Sequence, residues 1–596
     1  VSAPYDDDLP EARFQAAFLA GLWPFVRPYR RGFAACLAIL FASFGLELAG
    51  PWLMRLAIDG PMRDVTAEQG ARLTSLYWYA GGFVLATLGG ALLGYVYGLL
   101  TAWNGQRVIR DVRQRVFAHV LSTPLSFHER NPAGKLTTRV TSDVENLNEL
   151  ISTGVLQSVF DLLKIGGVLV VLFFLDLDLA LFTVATLPVV IVLSVLFRRK
   201  AQAAYRAVRS RLALQNAYAT ELIGGVRTTR AYGREEAVAR RYAERNAATT
   251  AAWKDTVLHF STFFSLVDFA LRATTVGLLW FGGVAVLDGE LEPGQFIQFW
   301  LYFNMLSGPV RELGEKYNVL QAAFASCERI FQLLDEPRFP KADSGAARPS
   351  PRRGAAHVRF EGVRFAYGDG PTVLDDVTFE ASPGQTVAIV GPTGAGKTTL
   401  LSLVARLRDV DQGQVLVDDE DVRALDLSQL RRRVAFVAQD LFLFTGSVLD
   451  NVRLFDRSID EDAVWRALET VGAADFVRAL KGGIRAEVAE RGATFSQGQR
   501  QLLAFARALV TEPDVLVLDE ATASIDSGAE QRLQRALKAA LRGRTALVVA
   551  HRLSTVQDAD LILVLERGRV VERGTHAELL ALGGRYARMT EHAAAG

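Results

Sequence analysis

The stretch Val387-Ala-Ile-Val-Gly391-Pro-Thr393-Gly394-Ala395-Gly396-Lys397-Thr398-Thr399 decides the fold. Four apolar residues, β-branched at three positions, read as a buried strand, and the run LLSLVARLR from Leu400 reads as a helix. Between them stands G-x-x-x-x-G-K-[ST] in the strand-to-helix setting that a phosphate-binding loop requires. Glycines let successive backbone N–H groups wrap phosphate oxygens at a helix N-terminus. Lys397 is then placed to neutralise the β and γ phosphates, and the Thr398 hydroxyl to ligate Mg²⁺. This expectation takes Gly391, Thr393, Gly394, Ala395, Gly396, Lys397, Thr398 and Thr399 as the nucleotide contacts, with ATP and Mg²⁺ as cofactors.

A second apolar run lies downstream, Val515-Leu-Val-Leu518, and ends in Asp519 and Glu520. A buried parallel strand presents acids at its carboxyl end in this way. Asp519 suits the Mg²⁺ shell through water, and Glu520 is placed to orient or deprotonate an attacking water. Other residues keep two readings. Ser496 either caps a helix beginning near Gly498 or acts on a ligand; Tyr367 is either a strand residue packed on its sheet or an aromatic platform; His551 is either a satisfied interior histidine or a functional one.

Outward to the N-terminal side, the composition changes. Up to about residue 325 long apolar stretches dominate, whereas from about 355 short apolar runs alternate with Gly, Asp and Arg as in a soluble α/β domain. Six stretches approach the roughly 20 apolar residues of a membrane span: about 33–58, 75–102, 155–175, 179–197, 259–287 and 294–320. Residues 14–30 alternate aromatic and basic positions and suit an interfacial helix. The long segments 104–150 and 198–255 are Arg-rich, while the links at Asp176, Asp178, Asp288, Glu290 and Glu292 are short and acidic. The positive-inside rule therefore puts the long segments and both termini in the cytoplasm. The expected division is 1–30 interfacial, 31–325 membrane domain, 326–356 a Pro-, Ala- and Arg-rich linker, and 357–596 the nucleotide-binding domain. The first twenty residues carry Asp6, Asp7 and Asp8 rather than a basic start, so no cleavable leader is expected there.

Charges inside spans are costly and therefore candidates for function. Glu47 stands alone in the first stretch; Asp161 and Lys164 are three apart in the third, and Asp268 and Arg272 four apart in the fifth. Each of these pairs either neutralises itself on one helical face or lines a polar substrate cavity. A net charge of +1 gives no basic stripe for nucleic acid. Cys36 and Cys327 lack metal-ligand spacing and read as free thiols.

The motif between the two strands, Phe495-Ser496-Gln497-Gly498-Gln499, resembles the LSGGQ signature of ATP-binding cassette proteins. The resemblance implies further roles. Gln439 in VAQD looks like the Q-loop glutamine, near both metal and attacking water; Asp526 in SID looks like the D-loop; His551 in AHRLST looks like the switch histidine; Tyr367 in FAYG looks like the adenine platform; Glu490 in AERG looks like the exporter X-loop. It covers nearly the whole chain and implies a multi-domain fold. An α-helical transmembrane domain of six helices, of the type IV exporter kind, is followed by an α/β P-loop ATPase domain. Coupling helices are implied near Asn131–Thr138 and Tyr218–Arg227.

The wording ERGATFSQGQRQLLAFARAL is similar to subunits of heterodimeric bacterial multidrug exporters. That likeness implies a half-transporter in the cytoplasmic (inner) membrane, paired with a second subunit and exporting amphipathic drugs or peptides. In such pairs each ATP lies between the P-loop of one subunit and the signature of the other. Phe495 and Gln497 depart from the signature, which puts the defect at the partner's ATP and predicts a partner with a degenerate catalytic site. A lipid flippase with the same engine, and a nucleotide-gated regulatory or channel subunit, are the alternatives.

Overall fold

The structure, a computed structural model, describes residues 16–64, 68–151, 156–339, 354–519, 527–550 and 556–595. It divides into two units, Val1–Leu121 with Asn131–Glu336, and Ser122–Arg130 with Pro337–Gly596.

Among its described residues the first unit is built of helices joined by short turns. After α1 (Ala16–Val26) and α2 (Arg30–Ala57) comes α3 (Gln69–Ser122), 54 residues long. The short α4 (Leu125–Arg130) falls in the second unit. Then follow α5 (Ala133–Thr138), α6 (Val144–Glu149), α7 (Leu156–Leu175), α8 (Leu177–Val184), α9 (Thr186–Gly224), α10 (Val226–Ala231), α11 (Glu235–Leu287) and α12 (Pro293–Asp335). Among the described residues four stretches are long and apolar enough to cross a membrane: Gly21–Met62, Gln69–Ser122, Gln157–Leu175 and Glu235–Leu287. The two other stretches expected from sequence are helical but less apolar. The chain breaks between α8 and α9 at Ala185, so a span-length run from the start of α9 takes in Arg198, Arg199 and Lys200; α12 carries Gln295, Gln298 and Asn304.

The packing is inverted relative to a soluble protein. Trp78, Leu85, Phe174, Phe269, Trp280 and Leu287 face outward and are more than two-thirds exposed, as a hydrocarbon solvent allows. The interior is built where α7, α11 and α12 meet, from Val168, Leu172, Leu278, Phe299 and Phe303. Tyr302, also buried, satisfies its hydroxyl by donating to the Leu48 carbonyl at 2.6 Å. Small residues set the closest approaches: a Cβ at Gly277 would come within 2.3 Å of the Phe182 ring, and one at Gly282 within 2.4 Å of Phe296.

The charges are arranged differently from one sequence expectation. Lys164 pairs with Glu47, which α2 brings across to α7, so Glu47 is not alone. Asp161 is buried and accepts from Gln157 at 3.4 Å. Asp268 and Arg272 do pair, at 2.7 Å, on an exposed face. Beyond the spans, buried Asp143 accepts from Arg139 Nη1 at 2.9 Å, Arg329 Nε at 3.1 Å and Ser326 Oγ at 3.1 Å. Burial alone would push this carboxyl up, but the hydrogen bonds and charges of Arg329 and Arg139 outweigh it and hold the carboxyl below its usual range.

In the second unit a six-stranded sheet forms the middle layer. Its strands are β3 (Thr386–Val390), β6 (Val434–Val437), β9 (Val515–Asp519), β10 (Thr545–Val549), β11 (Leu561–Glu566) and β12 (Arg569–Gly574), in the order β12-β11-β3-β10-β9-β6. All pairings are parallel except that of the edge strand β12 with β11. Side chains alternate between two cores. Val387, Ile389, Val515, Val517, Leu547 and Val549 face one side. There they meet α13 (Lys397–Val404), α14 (Leu427–Arg433) and an antiparallel sheet of β1 (Val358–Ala366), β2 (Thr372–Ala381), β4 (Gln412–Val417) and β5 (Glu420–Asp421). Ala388, Val390, Leu516, Leu518, Ala546 and Val548 face the other. That side holds α15 (Val448–Arg453), α16 (Glu461–Thr470), α17 (Ala474–Ala479), α18 (Gln497–Leu509), α19 (Ser527–Leu541) and the small ladder β7 (Gly446–Ser447) with β8 (Glu487–Val488).

The resemblance implied a coupling helix at 131–138. The segment that groups with the nucleotide unit comes just before it, Ser122–Arg130 with α4, because Phe339 N donates to Ser122 O at 2.8 Å and Glu129 pairs with Arg408. Near the other implied position the helix breaks at Gly225, between α9 and α10.

Candidate nucleotide-binding and catalytic site

Three central strands bring the site together. β10 lies between β3 and β9, and the register sets Val549 level with both Ile389 and Asp519. The loop from Gly391 thus leaves the same end of the sheet at which Asp519 stands. Catalytic groups in open parallel sheets gather at this carboxyl edge. Glu520, Asp526 and His551, singled out from sequence, lie outside the described residues.

The loop needs its glycines for space as well as conformation. Gly391 has φ +154°, and a Cβ there would come within 2.2 Å of the Leu565 carbonyl oxygen; Gly396 has φ +101°, with a Cβ 2.8 Å from Leu374. α13 starts at Lys397, so its unsatisfied N–H groups and dipole face the loop interior. Lys397 is buried, and its ammonium donates to the carbonyls of Gly391 at 2.8 Å and Pro392 at 2.9 Å. Burial pulls its pKa down and the Asp519 carboxylate opposes that. Thr393, Gly394 and Thr398 are exposed at the loop, whereas Ala395, Gly396 and Thr399 are buried.

A cavity of about 210 Å³ adjoins Asp519. Gln439 and Asp440 line it from the loop after β6, Gln497, Arg500 and Gln501 from α18, and Leu518 from β9. Polar side chains from the implied Q-loop, the implied signature and the acidic strand end therefore share one water-accessible space. Asp519, largely buried, and the exposed Thr398 hydroxyl are hard oxygen donors of the kind Mg²⁺ takes when phosphates supply the rest of its shell. Among the described residues no cluster of three His, Cys, Asp or Glu side chains would hold a metal alone.

Tyr367 lies just past the end of β1, not within the strand. Its hydroxyl is 2.8 Å from Thr399 Oγ1, Phe365 meets it edge-on at 5.1 Å, and the ring is 42% exposed. An aromatic face is thus presented beside the phosphate loop. Arg408, which sequence reasoning did not single out, sets its guanidinium 4.6 Å from the centre of this ring.

Ser496 caps α18, which begins at Gln497: its Oγ accepts from Gln499 N at 3.3 Å, and Gln499 Oε1 accepts from Ser496 N at 3.0 Å. Phe495 is buried in the helical core with its ring edge-on to Phe476. Its departure from the signature is therefore a packing matter, while exposed Gln497 alters the surface. Gly498 is buried, and Glu490 is exposed in a short 3₁₀ turn.

Two family models match the chain, the ABC transporter transmembrane region over residues 33–310 and ABC transporter over residues 374–523. The chain is 34% identical over 581 residues to the ATP-dependent lipid A-core flippase of Nitrosococcus oceani, covering 95% of this chain and 94% of the flippase. The chain belongs to the ABC transporter family. This ABC transporter is also 37% identical over 496 residues to a probable multidrug resistance ABC transporter ATP-binding/permease protein, YheH of Bacillus subtilis, covering 83% and 73% of the two chains. Its fold matches a bacterial Atm1-family ABC exporter with ATP bound, with TM-score 0.79 and 26% identity over 95% of this chain and 99% of that one. The transporter is thus a membrane-embedded ATP hydrolase coupled to transport, with its nucleotide-binding domain in the cytoplasm.

Proposed function

We propose that this transporter is one half of a heterodimeric exporter of amphipathic drugs or peptides in the cytoplasmic membrane. In this reading Lys397 and the loop amides hold the ATP phosphates, Tyr367 stacks on adenine, and Thr398, Gln439 and Asp519 hold Mg²⁺. Glu520 and His551 act on the attacking water. The observation that carries the chemistry is the level register of β3, β10 and β9, which gives the phosphate loop and Asp519 one sheet edge. Closure of two nucleotide domains over two ATP molecules would open the membrane cavity outward, and hydrolysis would reset it.

The case for unequal sites rests on exposed Gln497 in the signature, which in a sandwich serves the partner's ATP. For the cargo path, the exposed Asp268–Arg272 pair is better disposed to meet substrate or partner than Asp161 or the Glu47–Lys164 pair, which are more enclosed. A lipid flippase is the second reading, because a relative of that name is 34% identical over nearly the whole chain. The test is ATP-dependent uptake of a fluorescent amphipathic drug or a labelled peptide into inside-out vesicles. Accumulation that Glu520→Gln abolishes is expected. Translocation of headgroup-labelled lipid alone favours the flippase, and ATP binding without movement of either favours a regulatory subunit.

A further inference from the structure

Arg408 is enclosed although it is charged, its side chain being 10% exposed. It lies shortly after α13, the helix that starts in the phosphate loop. The turn that carries it is fixed: Arg406 Nε donates to Asp409 at 2.9 Å, and Arg406 is buried. On one side the Arg408 guanidinium lies over the Tyr367 ring; on the other its Nη2 donates to both carboxylate oxygens of Glu129 in α4. The α4 segment is anchored at its other end by the bond from Phe339 N to Ser122 O. A cation held against one face of a tyrosine fixes the plane of the ring and leaves the opposite face for a base.

We propose that Arg408 is a positioning residue through which adenine binding at Tyr367 depends on Glu129 in α4. This rests on the reading of Tyr367 as the adenine platform. Neutralising Glu129 frees the guanidinium to turn toward water, and the ring loses the partner that orients it. Coupling between sites is reciprocal, so a base stacked on Tyr367 also holds Arg408 against Glu129 and steadies α4.

The test measures binding to the full chain in detergent, using a fluorescent ATP analogue displaced by ATP or by inorganic triphosphate. Glu129→Gln and Arg408→Gln should each weaken ATP binding about three- to tenfold, the range of a partly exposed ion pair combined with a cation–π contact. The double variant should be no worse than the weaker single one, and triphosphate, which has no base, should bind all variants equally. Unchanged ATP affinity in Glu129→Gln, additive losses, or an equal loss for triphosphate would each overturn the link. Tyr367→Ala separates the two claims. If it binds ATP as the parent chain does, the platform and the link fall together; if it loses affinity while Glu129→Gln does not, the link alone falls.

Discussion

The polar side chains singled out from sequence are held in different ways in the two units. In the nucleotide unit the motif residues find partners near in sequence: Lys397 donates to carbonyls five and six residues back, and Ser496 caps the helix that it begins. In the membrane unit two of the charges take partners from far away: Lys164 meets Glu47, and Asp143, besides Arg139 four residues back, is gripped by Arg329, 186 residues distant. The first arrangement writes itself into a motif. The second leaves only isolated charges in the sequence, whose partners depend on which helices pack together.

The largest expected effect tests the local arrangement. Glu520→Gln keeps shape and hydrogen bonding but removes the base, so steady-state hydrolysis should fall about 10²- to 10⁴-fold while ATP still binds. Near-normal turnover would remove Glu520 from the mechanism.

Asp143→Ala tests the distant one, since removing one partner of a buried ion network costs about 3–5 kcal/mol. Thermal unfolding of the detergent-solubilised chain should report the loss. The pH dependence has a definite sign. A carboxyl held below its usual value stabilises the fold above its unfolded pKa of about 4, and that contribution fades as pH falls through the lower folded value. The parent chain should hold its stability from pH 8 to 5 and lose it below about 4. Asp143→Ala should show a smaller acid loss, and an equal acid loss would mean that other carboxylates dominate.

Lys164→Met tests whether Glu47 is its partner. Alone it should destabilise by about 1–3 kcal/mol, and Glu47→Gln added to it should restore part of that, because the part-buried carboxylate is then no longer left uncompensated. Additive losses in thermal unfolding would separate the two residues.

The smallest effect sharpens the account of the signature. Ser496→Ala removes a capping side chain worth about 1 kcal/mol, and in the heterodimer reading it acts at the slower site. Turnover should fall much less than in Glu520→Gln; equal losses would favour two equivalent sites.

The sequence made the nucleotide unit legible because its chemistry sits at strand ends and helix starts, where residue type and spacing are enough. The strand before Gly391 and the acid ending β9 could both be read that way. Arg408 could not, since nothing in the run LVARLRDV shows that it turns back over Tyr367, and neither could the Lys164–Glu47 pair. The grouping of Ser122–Arg130 with the nucleotide unit is hidden in the same way: helical pattern marks 131–138 and α4 alike, and only tertiary hydrogen bonds tie Ser122 and Glu129 into that unit.

The length of α3 has a mechanical consequence. Its 54 residues span about 81 Å at 1.5 Å per residue, against a hydrocarbon layer of about 30 Å. Such a rod is a lever, and tilting it by about 5° around its midpoint sweeps each end through about 3.5 Å, by the geometry of a stiff helix of that length. In sequence only Thr123 and Pro124 separate this rod from α4. A motion barely measurable within the bilayer thus becomes a displacement as wide as an atom at the end of the rod.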